Sequence, residues 1–201
     1  MLARRPRRQG AELGKVHDAI DQSLQDFIGK QHLFFVATAP LDANGLINVS
    51  PKGLDSLRIL DDYTVVYADL VGSGIETVAH VKQNGRIVLM FCAFEGAPKI
   101  VRLHGRGEVI EPHHAEFAEL SDQLPRFEGL RSFIRIRCQR ISDSCGFGVP
   151  LFDFVSHRTQ LVAAAQRKGR KGLQQYQLEK NQFSLDGLPG IVCSSGDDAS
   201  S

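Results

Sequence analysis

The chain contains no tryptophan, and several other features are scarce. It has two methionines and four cysteines in 201 residues. The cysteines form no C-x-x-C pair, so we expect a reduced, cytoplasmic protein rather than a disulfide scaffold. No apolar run approaches the roughly 20 residues that span a bilayer, so no membrane partner is expected. No signal-peptide segment follows the first residues, which disfavours secretion.

Net charge is also small. The formal charge is +1, and four arginines before position 9 supply more than that, so the remainder of the chain is acidic by three charges. Nucleic-acid-binding proteins usually show a basic excess, so no nucleic acid partner is expected. We expect a disordered basic arm at 1–13, although a short targeting arm remains an alternative. One domain is expected over 14–190, with a C-terminal helical extension, followed by a disordered tail at 191–201.

Apolar and β-branched runs predict a mainly β fold with α additions. Predicted strands cover 33–39, 46–50, 56–59, 63–68, 86–94, 99–110 and 133–141, joined mostly by short turns. This pattern favours a small barrel of about six antiparallel strands. Helical spacing predicts helices over 16–28, 75–84, 112–120, 159–168 and 173–179. Two glycines, Gly105 and Gly107, interrupt the longest strand and predict a bulge or bend there.

The first predicted hairpin ends in Ser50, Pro51, Lys52 and Gly53. Such a tip can hold an anion, because the ammonium supplies charge, the hydroxyl donates a hydrogen bond and glycine lets the main chain approach closely. An ordinary surface hairpin with one solvated lysine explains the same residues equally well.

Residues 72–77, G-S-G-I-E-T, follow a predicted strand and open a predicted helix. That context is typical of a dinucleotide fingerprint, but Thr77 stands where the third glycine belongs, and tight hairpins replace the βαβ crossovers. A more general anion site remains, since a helix N-terminus lies beside the hydroxyls of Ser73 and Thr77. A plain helix cap is the alternative.

Other chemistry-bearing residues give weaker signals. His104, His113 and His114 lack the spacing of a known metal site, so none is expected. Arg102 and Arg106 share one side of a strand, which could face an anionic ligand, a subunit interface or solvent. No nucleophilic triad is readable, and the catalytic residues stay unknown.

Several short motifs resemble, in order and spacing, the pyridoxamine 5'-phosphate oxidase-like family, and most closely its oxidase-related branch. They run through most of the chain: F-F-V-A-T-A at 34–39, N-V-S-P-K-G at 48–53, Y-A-D-L-V-G-S-G-I-E-T at 67–77, L-H-G-R-G-E-V at 103–109, S-C-G-F-G-V-P at 144–150, Lys180-Asn181 and L-D-G-L-P-G at 185–190.

The resemblance implies an FMN-binding split β-barrel, usually a homodimer with flavin between the subunits. In that family the second strand and the helix after the fourth strand hold the flavin phosphate. Carried over to this chain, the resemblance implies Ser50 with Lys52, and Ser73 with Glu76 and Thr77. Together with Asn48, Gly53 and Arg102, these make eight expected cofactor-binding residues. The expected cofactor is FMN rather than FAD.

Two departures from the true oxidase affect function. The oxidase has an arginine near the place of Ser50 and an Arg-Lys pair near Glu76 and Thr77. Its substrate phosphate is held by a tryptophan-centred C-terminal signature, and this chain has no tryptophan. The resemblance therefore implies an FMN-dependent oxidoreductase acting on another small molecule. A non-catalytic flavin- or haem-binding protein or sensor, and a deazaflavin-dependent reductase, are alternatives.

Overall fold

Eight strands and four helices make up residues 14–191, the part of the chain that the computed structural model describes. The strands are β1 (Val16–His17), β2 (Phe34–Thr38), β3 (Asn48–Lys52), β4 (Leu57–Asp61), β5 (Thr64–Leu70), β6 (Arg86–Cys92), β7 (Ile100–Ile110) and β8 (Leu130–Ser144). The helices are α1 (Gln22–Gly29), α2 (Glu76–Asn84), α3 (Glu116–Gln123) and α4 (Gln160–Lys180).

All strands pair antiparallel in one sheet, in the order β3-β2-β6-β7-β8-β5-β4, and β1 adds to β8. The predicted fold class is confirmed, although the sheet has eight strands rather than about six. Arm 1–13 and tail residues 192–201 lie outside the described residues, so the expectations for them stay predictions.

The core fills the inner face of the curled sheet. Tyr67, Leu89, Phe91 and Leu103 are among its fully buried side chains, and α1 adds Leu24. A smaller cluster on the outer face packs Phe133 and Ile110 against Leu120 of α3. The sheet therefore has apolar packing on both sides near one end of β8 and an open outer face elsewhere.

Element boundaries differ from the sequence-based prediction at the N-terminal side. The helix expected over 16–28 starts only at Gln22, because Asp21 caps it by accepting a hydrogen bond from the Leu24 amide at 2.9 Å. Val16 instead pairs with Ser142 in the sheet. The strand expected over 46–50 lies two residues later, so Ser50 and Lys52 belong to β3 and do not form a hairpin tip.

The later helices also differ. Residues 112–115 form turns, and α3 begins at Glu116 rather than at Pro112. The two helices expected within 159–179 are joined as α4, which is broken by Gly169 at φ 58°. The predicted stop of α2 is confirmed, since Gly85 adopts φ 68° and donates to the Val81 carbonyl at 2.9 Å.

The predicted bulge lies in the β7–β8 pairing, where the register shifts between His104 and Gly105. A side chain at Gly105 would overlap the backbone carbonyl of Arg137. Glycine is therefore required here because β8 approaches the strand closely.

Candidate functional site

Side chains from β3, β5 and α2 converge at the edge of the inner face. Asn48, Ser50 and Lys52 alternate along β3, opposite Thr38, Val36 and Phe34 of β2 in that order. Those three β2 side chains are buried, so the β3 residues also face inward. The sheet curls enough to bring them to Asp69 at the end of β5 and to Thr77 in the first turn of α2.

The Asn48 amide connects three hydroxyl groups. Its Nδ2 donates to Thr77 Oγ1 at 2.9 Å and to Thr38 Oγ1 at 3.3 Å, and its Oδ1 accepts from Ser50 Oγ at 2.9 Å. Ser50 therefore uses its only hydroxyl proton on Asn48. Thr77 accepts from Asn48, so its own proton remains available to another acceptor.

His80 extends this network into the core. Thr38 Oγ1 lies 2.9 Å from His80 Nδ1, and since Thr38 already accepts from Asn48, it is assigned as the donor to this nitrogen. The ring is then neutral with its proton on Nε2, an atom that is buried without a hydrogen-bond partner in the described structure. Burial lowers the pKa of His80, against the opposing effects of Asp186 and Glu76.

Asp69 is a completely buried carboxylate with several partners. Arg131 donates to its Oδ2 from Nε at 2.9 Å, with Nη2 at 2.8 Å, and Ser132 Oγ donates at 3.3 Å. Lys52 Nζ reaches Oδ1 at 3.4 Å. Burial alone would raise the pKa of Asp69, but Arg131 and Lys52 outweigh it and hold the pKa below its ordinary value. The group is therefore an ionised anchor.

Lys52 differs from its predicted setting. It was expected as an exposed lysine at a hairpin tip, but its side chain is only 22% exposed and its ammonium lies 5.9 Å from the centre of the Tyr67 ring. Its one ion pair within residues 14–191, to Asp69 at 3.4 Å, is long for a charge-assisted hydrogen bond. Most of its donor capacity is therefore unused.

Tyr67 places a further weakly engaged donor beside the cluster. Its side chain is fully buried, and its hydroxyl meets hydrogen-bond geometry with no described residue, its contact with the Thr77 hydroxyl being too loose to qualify. Burial raises the pKa of Tyr67 well above its ordinary value, helped by Asp69 and opposed by Arg131 and Thr77. A buried hydroxyl without a partner is costly, which favours a polar ligand group here.

The structure separates some of the other expected cofactor-binding residues from this cluster. Ser73 is exposed in the loop before α2, and Gly53 follows β3 close to the His32 carbonyl. Glu76 accepts a hydrogen bond from the Leu185 amide at 3.3 Å. Arg102 lies on the opposite face of the sheet, where its Nη1 donates to Ser144 Oγ at 3.0 Å.

The three histidines considered as metal ligands do not assemble a site. His113 and His114 pack ring against ring, while His104 lies on the outer face of β7. Within residues 14–191, no group of three or more His, Cys, Asp or Glu side chains could hold a metal ion.

Sequence reasoning assigned no site role to five residues of the network: Thr38, Tyr67, Asp69, His80 and Arg131. Asp69 had a readable signal, because it is a lone carboxylate in an otherwise apolar strand. Arg131 had none, because the predicted strand began after it. Its partner Asp69 is 62 positions away, a separation that no local pattern bridges.

Two grooves lie near the start of β2, and neither is lined by Ser50, Lys52 or Thr77. One of about 370 Å³ reaches Gly53 and Phe34, the residue that pairs with Lys52. The other, of about 860 Å³, runs between the β6–β7 hairpin and the segment around Phe152 and Phe154. Both grooves are lined in part by His32.

None of the helices in the described range is long and apolar enough to cross a membrane.

Comparisons with known proteins agree on the family. A family model described as pyridoxamine 5'-phosphate oxidase matches residues 20–145. The pyridoxamine 5'-phosphate oxidase family protein ustO of Aspergillus flavus is 37% identical over 192 residues, covering 87% of this chain and 77% of that protein. A crystal structure of a HupZ variant from Group A Streptococcus is 28% identical, with TM-score 0.50, over 62% of this chain and 98% of that chain. The chain belongs to the pyridoxamine 5'-phosphate oxidase family, as its motifs predicted.

Proposed function

We propose that this protein binds FMN and acts as a flavin-dependent oxidoreductase on a small molecule. The observation that supports this most is the set of weakly engaged donors around β3 and α2: the Lys52 ammonium, 3.4 Å from Asp69, and the hydroxyls of Thr77 and Tyr67, whose mutual contact falls outside hydrogen-bond geometry. A phosphate monoester has oxygen acceptors and negative charge to match them.

The start of α2 adds to this fit. The residue that caps it, Ile75, makes no side-chain capping hydrogen bond, so no capping side chain occupies the first backbone amides of the helix. The helix dipole also favours an anion at this end. Thr77, in the first turn, brings its hydroxyl to the same end.

Lys52 can turn to a phosphate without leaving Asp69 unpaired. Arg131 and Ser132 already bind Oδ2 of that carboxylate, whereas Lys52 reaches Oδ1 at 3.4 Å. The fixed Asp69–Arg131 pair thus keeps the end of β5 in place while the flexible ammonium moves to the ligand. A lysine acts on phosphate as a mobile point charge, which suits this arrangement.

Bound flavin supplies the redox chemistry of such a site, and the protein binds, orients and shields it. The Asn48 amide fixes the orientation of the Thr77 and Ser50 hydroxyls, and buried Thr38 and His80 hold that amide from the core. We assign no side chain as a catalytic acid or base.

The substrate is proposed to differ from pyridoxine or pyridoxamine 5'-phosphate. The chain contains no tryptophan, so the tryptophan-centred grip on the substrate phosphate expected in the true oxidase is lacking. The apolar groove of about 860 Å³ is large enough for a small organic substrate and has the size typical of ligand sites.

A homodimer is also proposed. The apolar side chains of β6 and β7 do not support it, because Ile87, Leu89 and Leu103 lie in the chain's own core. The support comes instead from the extended segment after β8, where Phe147 is 83% and Val155 90% exposed. Apolar surface of this kind favours a protein partner. Light scattering should give twice the mass of the chain, and a monomer would contradict the proposal.

Titration of the purified protein with FMN, riboflavin and FAD, followed by calorimetry, tests the cofactor. FMN should bind saturably and more tightly than riboflavin, which lacks the phosphate. A colourless protein that binds no added FMN would overturn the proposal. Bleaching of the bound flavin's absorbance by NADH or NADPH, and its recovery in air, would distinguish an oxidoreductase from a passive binding protein.

A further inference from the structure

Residues 181–191, here called the C-terminal strap, form a tight turn after α4. Phe183 and Pro189 pair as a bridge, and the Ser184 amide donates to the Leu188 carbonyl at 2.9 Å. Gly187 takes φ 72° at the turn, a conformation suited to glycine. The strap includes Asn181 and the L-D-G-L-P-G motif, and the proposed function assigns no role to these residues.

The strap packs against the elements that carry the candidate site. A side chain at Gly190 would overlap Ile75, which precedes α2, and Lys82 Nζ donates to the Gly190 carbonyl at 2.8 Å. Asp186 Oδ2 accepts from the Leu46 amide at 2.9 Å, which joins the strap to the loop before β3. The strap therefore contacts both α2 and the loop before β3, the two sides of the candidate site.

Arg131 ties the strap to the anchor carboxylate. Its Nη1 donates to Asn181 Oδ1 at 2.9 Å and to the Gly74 carbonyl at 3.1 Å, while its other nitrogens bind Asp69. Asn181 Nδ2 in turn donates to the Gly72 carbonyl at 3.0 Å. Since Arg131 and Asn181 are both buried, the hydrogen bond between them is shielded from water.

The strap also holds the one carboxylate in the first turn of α2. The Leu185 amide donates to Glu76 Oε1 at 3.3 Å, and Glu76 Oε2 lies where a side chain of Gly74 would be. The carboxylate thus occupies a slot between the strap and the loop. Released from it, a carboxylate at a helix N-terminus would compete with an anionic ligand for the same amides.

We infer that the C-terminal strap is part of the anion site, with Arg131 and Asn181 as positioning residues that shape loop 72–74 and keep Glu76 in its slot. This inference rests on the proposed function, since it names what prepares that site for a phosphate. It assigns a role to a segment that contributes no donor of its own to the ligand.

The test is a double-mutant cycle on FMN affinity. Asn181→Leu removes both side-chain hydrogen bonds of Asn181 and should weaken FMN binding about tenfold, as the loss of two modest hydrogen bonds would. In the Asn181→Leu/Glu76→Gln protein the loss should shrink to within about threefold of Glu76→Gln alone, because the released side chain no longer carries charge. Gln174→Leu, a change at an exposed side chain of α4 outside the strap, is the matched control and should bind as the parent does.

The FMN affinity of the parent protein tests the proposed function, and the change in affinity in Asn181→Leu tests the role of the strap. If the parent protein binds FMN and Asn181→Leu binds it equally well, the strap has no role in the site. If the loss persists in the double variant, the slot for Glu76 is not the reason.

Hydrogen exchange of the ligand-free protein tests whether the strap and the start of α2 are coupled, even if the parent protein binds no FMN. In Asn181→Leu the amides of Leu185, in the strap, and Ala79, bonded to Ile75 in the first turn of α2, should both exchange faster. Faster exchange at Leu185 alone would overturn the coupling. Should this variant fail to fold, Asn181→Asp, which keeps an acceptor for Arg131 and loses the donor to Gly72, provides the same comparison.

Discussion

Arg131 and Asp69 form an ion pair closed to solvent, with side chains 3% and 0% exposed and Nη2 2.8 Å from Oδ2. We expect Arg131→Met to lower the free energy of unfolding by about 3–5 kcal/mol, the usual effect of leaving a buried charge without its partner. Asp69→Asn/Arg131→Met should lose less than the sum of the single changes, because the double variant buries no charge. Urea unfolding of the four proteins measures this, and additive losses would contradict the pairing.

The hydrogen bonds of Asn48 predict which of two hydroxyl substitutions weakens FMN binding more. Thr77→Val should weaken FMN binding about two- to tenfold, the range for one neutral hydrogen bond. Ser50→Ala should weaken it less, because Ser50 spends its proton on Asn48 and can offer a phosphate none. Calorimetric titration of both variants gives the ranking, and a larger loss for Ser50→Ala would show that the network is reoriented when ligand binds.

His80 should make the fold sensitive to mild acid. Its pKa is lowered in the folded state by burial, so the unfolded chain binds the proton more readily. Stability from this group is complete above the unfolded value of about 6.5 and is lost as pH falls from there toward the folded pKa. His80→Gln should flatten the slope of unfolding free energy between about pH 7 and 5. His104→Gln is a comparison at a histidine on the outer face. The pKa of His104 is also lowered, by partial desolvation and by the charges of Arg140 and Arg102.

Much of the β framework could be predicted from the sequence, since most strands follow local apolar runs. The shift of β3 by two residues shows why this worked even where the boundary was wrong. A displacement of two keeps alternation, so Asn48, Ser50 and Lys52 remain on one face. The capping of α1 by Asp21 was also readable in principle, but the apolar spacing from Val16 outweighed it.

The candidate site depended on pairings that local patterns do not encode. Asn48 and Thr77 are 29 positions apart, and they meet only because the sheet curls. Arg102 illustrates the opposite case, since its face is set by register through β6 and β2 and proves to be opposite to that of Lys52. The expectation that Lys52 is exposed failed for the same reason, because its partner Asp69 belongs to another strand.

Pyridoxine 5'-phosphate and pyridoxamine 5'-phosphate should be poor substrates. The chain has no tryptophan, and therefore lacks the recognisable C-terminal grip on the substrate phosphate. Oxygen consumption with each compound by the FMN-loaded protein is the measurement. Turnover comparable to a genuine oxidase would show that other residues hold that phosphate.

Lys52→Met is the change that tests the cofactor site most directly, measured by titrating FMN into the ligand-free variant. The substitution keeps the apolar stem and removes the charge. Folding should weaken by no more than about 1–3 kcal/mol, because Asp69 loses its contact at Oδ1 but keeps Arg131 at Oδ2. Lys171→Met, on the exposed surface of α4, is the matched control. FMN affinity should fall about 10- to 150-fold in Lys52→Met, the range for one charge-assisted hydrogen bond, and stay unchanged in Lys171→Met. Unchanged affinity in a folded Lys52→Met protein would place the phosphate elsewhere and contradict this account.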